Sequence, residues 1–195
     1  MSHYFQNDEK LDSKEVMFTA SLFNMQFKFF SDKGTFSYGE LDYGSKLLIE
    51  TVTINQEQTL LDIGTGIGVI GIALKKKYPT LEVTMTDVNL RALNLANKNA
   101  KLNNVDVEIF ESDLYSNIDK KFDLIISNPP IRTGKKVIYT LYKEAFLHLN
   151  EKGSLWIVVR VQQGAKSTVE YLKTIFNTVI VVEKSKGFYI IKASK

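Results

Sequence analysis

The residues best suited to chemistry in this 195-residue chain fall in two short segments. The first, Leu60-Leu61-Asp62-Ile63-Gly64-Thr65-Gly66-Ile67-Gly68, is an apolar run with a carboxylate, closed by three alternate glycines. Glycine lets backbone approach a ligand that side chains would hold off. The pattern therefore predicts a strand-to-helix turn around a nucleoside-containing cofactor, with ligands at the carboxyl ends of parallel strands. The second segment is Asn128-Pro129-Pro130-Ile131, after the apolar run Phe122–Ser127. A residue before proline is pushed into extended geometry, and proline has no N–H. This corner therefore offers two acceptors, the Asn128 side-chain oxygen and the Pro129 carbonyl. Aimed at the two N–H donors of an exocyclic amine or a carboxamide, they draw that nitrogen toward tetrahedral geometry and free its lone pair for in-line attack on an activated methyl group. Orientation supplies much of the rate in such a reaction, and neither histidine, cysteine nor metal is required.

Two cofactors compete for the glycine turn. Gly66-Ile67-Gly68-Val69-Ile70-Gly71 satisfies the dinucleotide pattern, and Asp87 lies 21 residues after Gly66, as a ribose-binding acid should. In that register Asp62 falls inside the strand, where a buried carboxylate is costly without partners. Starting the turn at Gly64 puts Asp62 at the strand's open end instead. That register, D-x-G-x-G-x-G, resembles motif I of class I S-adenosylmethionine-dependent methyltransferases. Asp87 and Asp113 end the next two apolar runs, so three acids stand at three successive strand ends. The resemblance implies S-adenosyl-L-methionine as cofactor. Asp62, Gly64, Thr65, Gly66 and Gly68 would then shape its methionine end, Asp87 with Val88 would meet its ribose, and Asp113 with Leu114 its adenine.

Asn128-Pro129-Pro130-Ile131 resembles the [N/D/S]-P-P-[Y/F/W] signature of amino-group methyltransferases, with Asn128 beside both cofactor and target. Ile131 replaces the aromatic that stacks on a target base. Stacking is worth roughly 1–3 kcal/mol per base, so here apolar contact alone holds the target. Over nearly its whole length the chain is similar to the small-subunit (16S) ribosomal RNA guanine-N(2) methyltransferase family in its compact single-domain form. The likeness includes His3-Tyr4-Phe5, Gly34-Thr35-Phe36-Ser37, Leu41-Asp42-Tyr43-Gly44-Ser45, the run from Asn128 to Lys135, and Gln163-Gly164-Ala165. It implies that residues 36–45 close over the cofactor, making Phe36 and Asp42 site candidates. The implied substrate is guanine in small-subunit rRNA or the 30S particle, with Arg132 and Lys135 as phosphate contacts and Lys136, Arg160 and Lys166 as further basic candidates. Adenine or a protein glutamine remains an alternative acceptor, and a non-catalytic cofactor-binding assembly factor an alternative role.

The elements that must position these residues read as strand–helix alternation from about Leu47 onward. Strands are expected at 59–63, 81–86, 107–110, 122–126 and 155–161, with helices after each glycine or asparagine stop. Two closing strands, 179–182 and 188–191, join across Lys184-Ser185-Lys186-Gly187 and can only be antiparallel. Val16–Ala20 and Met25–Phe30 read as a small hairpin ahead of the core. The expectation is a single α/β domain over 1–195. It has a Rossmann-like, mostly parallel sheet with a terminal antiparallel strand and helices on both faces, the core spanning 46–195 and an N-terminal extension and cofactor-covering segment spanning 1–45.

Composition narrows the class. The chain has no cysteine and two histidines, His3 and His148, which excludes disulfides, thiolate metal sites and multi-histidine centres. No apolar run reaches the ~20 residues of a membrane span, and the N-terminus lacks signal-peptide regions. The expectation is a soluble, cytoplasmic, metal-free protein, monomer or homodimer. Net charge is +3, unevenly spread: residues 1–124 carry 13 Lys/Arg against 18 Asp/Glu, and residues 125–195 carry 12 against 4. A basic half points to a polyanionic partner.

Overall fold

The computed structural model describes residues 14–33, 35, 38–55, 58–129 and 134–195. The sequence-derived positions Phe36, Pro130, Ile131 and Arg132 lie outside the described residues, as do His3-Tyr4-Phe5 and Gly34.

Apolar runs bounded by glycine and polar stops become the strands of one seven-stranded sheet. In chain order the elements are β1 (Val16–Leu22), β2 (Met25–Ser31), α1 (Tyr43–Thr51), β3 (Thr59–Ile63), α2 (Val69–Lys77), β4 (Glu82–Asp87), α3 (Leu90–Leu102), β5 (Glu108–Glu111), β6 (Phe122–Ser127), α4 (Lys135–His148), β7 (Leu149–Arg160), α5 (Ala165–Lys173), β8 (Thr178–Ser185) and β9 (Phe188–Ser194). The sheet order is β5-β4-β3-β6-β7-β9-β8. Every pairing from β5 to β7 is parallel, and β9 runs antiparallel to both its neighbours. The antiparallel strand thus inserts between β7 and β8, across a two-residue turn at Lys186 and Gly187 with φ of +45° and +78°. Strand order reverses between β3 and β6, and a crevice opens at such a switch point.

Alternate residues along each central strand feed opposite faces. Leu60 and Leu124 join the core that α1, α2, α3 and the β1–β2 hairpin cover. Leu61 and Ile125 join the core beneath α4 and α5. The hairpin is fastened by two buried asparagines of α3. Asn99 Oδ1 accepts from Phe30 N–H (2.7 Å) and its Nδ2 donates to Phe30 C=O (3.0 Å), while Asn103 makes the same pair with Lys28 at 3.2 and 2.8 Å. Side-chain amides mimic a neighbouring strand here, satisfying backbone groups that the hairpin edge would otherwise leave unpaired.

Three expectations need correction. β7 starts at Leu149, six residues before the strand read at 155–161, because a bulge opposite Phe122–Leu124 absorbs the polar Asn150–Gly153 stretch. The first helix already contains Tyr43, Gly44 and Ser45, which the pattern placed ahead of it. Asp62 does not stand at an open strand end: it is the penultimate residue of β3 and fully buried.

Candidate active site

The glycine turn follows β3 and Asn128 follows β6. Asp62 pairs in register with Ile126, so each turn begins two residues beyond a matched pair, on adjacent strands at the switch point. Ser127 Oγ donates to Ile63 C=O at 2.8 Å and locks the two strand ends together.

The turn itself is built from left-handed glycines, with φ of +70°, +58° and +89° at Gly64, Gly66 and Gly68. A Cβ at Gly64 would meet nothing within 4 Å, so its side faces open space; one at Gly68 would come within 2.9 Å of Ile72 and 3.0 Å of Met85. Gly71 is a glycine for the same packing reason, since a Cβ there would lie 2.4 Å from Met85 Sδ. The amides of Gly64 and Thr65 both donate to Thr86 C=O at 2.9 Å.

Buried acids brace this loop. Asp62 accepts from Thr65 Oγ at 2.6 Å and from Gly71 N–H at 3.0 Å through one carboxylate oxygen. Its other oxygen has no partner among the described residues. Burial pushes the Asp62 carboxyl up to about 7, the two hydrogen bonds pull it down, and the neighbouring Asp87 charge raises it further. Asp87, nearly buried at the end of β4, accepts from Gly66 N–H at 2.8 Å and Asn89 N–H at 2.9 Å, one through each oxygen. Asp62 and Asp87 therefore hold the turn in shape before any ligand arrives.

Val88 is half-buried next to Asp87, and Asp113 is exposed after β5. Leu114 sits at φ +50° with its carbonyl accepting from Ser112 Oγ at 2.8 Å, which turns the chain at that strand end. Thr65 is buried against Asp62.

At the second turn Pro129 is buried and Asn128 half-buried. Asn128 Nδ2 donates to Asp42 Oδ1 at 3.2 Å and to Ser45 Oγ at 3.0 Å. Asp42 is the N-cap of α1, and the same Oδ1 accepts from Ser45 N–H at 3.0 Å. The structure thus brings Asp42 to Asn128 from 86 residues away. Lys135, Lys136, Lys166 and Arg160 are exposed. Arg160, at the end of β7, lies 4.8 Å from the Phe188 ring, and Lys186 lies 4.7 Å from the Tyr43 ring. Tyr43 and Phe188 pack together at 5.7 Å, so this basic corner adjoins the start of α1.

Sequence reasoning missed two residues. Ser45 belongs to the 36–45 segment read as closing over the cofactor, but its hydroxyl meets Asn128 instead. Asn99, whose Nδ2 donates to Ile67 C=O at 2.9 Å, ties the glycine turn to the hairpin. A buried polar position on an otherwise apolar helix face was its one available signal. Among the described residues no group of three or more His, Cys, Asp or Glu is placed to hold a metal ion. Among those residues, too, no helix is long and apolar enough to cross a membrane.

Residues 26–192 match the family model described as the methyltransferase small domain. The chain belongs to that family. It is 43% identical to a Bacillus subtilis protein named "Uncharacterized protein YbxB", over 99% of this chain and 98% of that one. It is 39% identical to ribosomal RNA small subunit methyltransferase C of Haemophilus influenzae, over 83% of this chain and 49% of that protein. This chain therefore spans about half the length of those named methyltransferases. A solved structure of the T. Thermophilus 16S rRNA N2 G1207 methyltransferase, in complex with AdoMet and guanosine, matches with a TM-score of 0.82 at 21% identity. The match covers 95% of this chain and 52% of that one, and it bears on the fold: a Rossmann-like methyltransferase sheet.

Proposed function

We propose that this protein transfers a methyl group from S-adenosyl-L-methionine to an exocyclic amine, with guanine N(2) of small-subunit rRNA as the target. The observation that carries the reading is the juxtaposition, on adjacent strands at the switch point, of a braced glycine turn and an Asn-Pro corner. The residues fit the cofactor: the open side of Gly64 leaves room for a ligand against the backbone, Asp87 ends β4 where a ribose would lie, and Asp113 stands exposed two residues beyond β5, where an adenine would lie. When bound, the cofactor supplies an electrophilic methyl carbon on a sulfonium. Gly64, Thr65, Gly66 and Gly68 form the wall it lies against, with Asp62 bracing that wall from behind. Asp87 and Val88 would hold its ribose, and Asp113 and Leu114 its adenine.

Asn128 Oδ1 and the Pro129 carbonyl accept the two N–H bonds of the target amine and turn its lone pair outward. On accepting a methyl group the amine held there would release one proton to solvent. Pro130 stiffens the corner, Ile131 contacts the base, and Arg132 and Lys135 neutralise phosphates beside it. The 39% identity to the Haemophilus influenzae rRNA methyltransferase supports RNA as substrate, and the cationic Arg160–Lys186 corner agrees with a phosphate-bearing partner.

The experiment is incubation with methyl-labelled cofactor and, separately, 30S particles, naked rRNA or ribosome-free protein extract, followed by mass spectrometry of the digests. N(2)-methylguanosine from rRNA is the expected product. Methyladenosine or methylglutamine would replace the acceptor, and no transfer to any pool would remove the catalytic reading.

A further inference from the structure

We infer that Asp42 and Ser45, at the N-terminus of α1, are positioning residues that set which way the Asn128 amide faces. The inference rests on the amine-methyltransferase reading of the site and deepens it.

An asparagine amide has one accepting end and one donating end, and only the accepting end is of use against an amine's N–H bonds. A flipped Asn128 would present two donors to those N–H bonds. The partners at α1 choose between the two orientations. An ionised carboxylate oxygen is an acceptor only, and Asp42 Oδ1 lies 3.2 Å from Asn128 Nδ2. Ser45 Oγ lies 3.0 Å from the same nitrogen. With both N–H bonds spent on α1, the amide must turn its carbonyl away from the helix. The reverse orientation would set the Asn128 carbonyl against the Asp42 carboxylate, two acceptors in contact with no proton between them. Fixing a dipole before the reaction avoids reorganising it during the reaction.

One oxygen of Asp42 does two jobs, since it also caps α1 through Ser45 N–H at 3.0 Å. Helix capping and amide orientation are therefore coupled, and the variants must separate them. Asp42→Ser keeps a cap of comparable quality but is too short to reach Asn128. Ser45→Ala keeps the cap and removes one acceptor from the amide. Asp42→Asn keeps a carbonyl of the same reach, able to accept from both Ser45 N–H and Asn128 Nδ2.

The test combines three readouts: S-adenosylmethionine affinity by calorimetry, turnover on whichever RNA or protein pool the wild type methylates, and the ¹⁵N-resolved side-chain amide resonances of Asn128 in the ligand-free protein. Those resonances are assigned by their loss in Asn128→Ala. Asp42→Ser and Ser45→Ala are expected to melt close to the wild type and keep its cofactor affinity. Their kcat should fall on the order of 10- to 100-fold, the scale of a misplaced catalytic group. The Asn128 amide protons should shift and exchange faster with water in both. Asp42→Asn should recover most of kcat and restore the resonances.

Wild-type kcat and unmoved Asn128 resonances in Asp42→Ser and Ser45→Ala would overturn the inference. So would a loss confined to cofactor affinity, which would make Asp42 a cofactor contact. An inactive Asp42→Asn with normal cofactor affinity would do the same, because it would make the charge rather than the acceptor essential. Should the wild type methylate nothing, the reading of the site fails by that result, and the amide resonances alone decide whether α1 orients Asn128.

Discussion

The two turns that form the site are held in opposite ways. The glycine turn after β3 is braced from within the sheet. Asp62, Asp87 and Thr86 accept its amides and hydroxyl, and Asn99 donates to one of its carbonyls. These partners lie within 32 residues of the turn and are buried, so the loop is over-determined. The Asn128 corner is held by partners from α1, more than 80 residues earlier in the chain, and its amide stays half-buried. The difference suits the two tasks proposed for these turns: a cofactor wall has to be rigid, whereas a substrate corner has to stay accessible while one side chain keeps a single orientation.

If that division holds, Asn128→Ala is the largest effect. Turnover should drop on the order of 100- to 1,000-fold, the scale of losing one preorganised polar group. Calorimetric affinity for S-adenosylmethionine should stay within a few-fold of wild type, and an equal fall in both would erase the distinction between the turns.

Next comes Asn99→Ala, aimed at the braced side. It strands a carbonyl of the glycine turn and both backbone groups of Phe30. Leaving buried polar groups unpaired costs about 1–3 kcal/mol each. A fall in melting temperature of at least 5 °C, on a scale of about 2–4 °C per kcal/mol at this size, together with weakened cofactor affinity, is expected from thermal scans and calorimetry. Unchanged cofactor affinity would mean the turn does not depend on its outer brace.

Asp62 sharpens the same point through pH. Its carboxyl titrates near 3.8 when exposed and about 7 in the fold, through burial. Between those values the folded protein keeps a proton the unfolded chain has released, so this group's contribution to stability declines as pH rises from 4 to 7 and levels off above. Asp62→Asn should flatten that decline in melting temperature measured from pH 4 to 8; an identical slope in the variant would show that Asp62 is not the titrating brace.

The smallest effect is at the rim. Replacing Lys135 and Arg160 together by glutamine should weaken RNA binding severalfold and reduce the salt slope of log affinity by roughly 1–2, read by fluorescence anisotropy on rRNA fragments. Cofactor affinity should not move. An unchanged salt slope would take RNA contact away from these two residues.

The same contrast explains what could be read from sequence. The glycine turn, the acid that ends β4 and the Asn-Pro corner are local patterns, because backbone conformation and strand period are set by neighbouring residues; the parallel order of β3 to β7 follows from strand–helix alternation. The turn's partners were only half legible. A carboxylate in mid-strand looks too costly from sequence, which points Asp62 to an open end; its two donors come from the turn itself, at Thr65, and from α2, at Gly71, which meets it only once that helix folds back. The Asp42–Ser45 hold on Asn128 left no trace in spacing, since it joins a helix cap to a strand end 86 residues on. The start of β7 is not legible from pattern because a bulge carries polar residues within the strand.

The proposed reaction requires a sulfonium donor in the glycine turn with its methyl group facing the Asn128–Pro129 corner. A crystal structure of the protein soaked with S-adenosyl-L-methionine tests it most directly. The predicted result is ligand density against residues 64–66, the sulfur on the side of Asn128, and the asparagine amide nitrogen still bonded to Asp42 and Ser45. Density bound elsewhere, or a side chain wedged between the sulfur and Asn128, would contradict it.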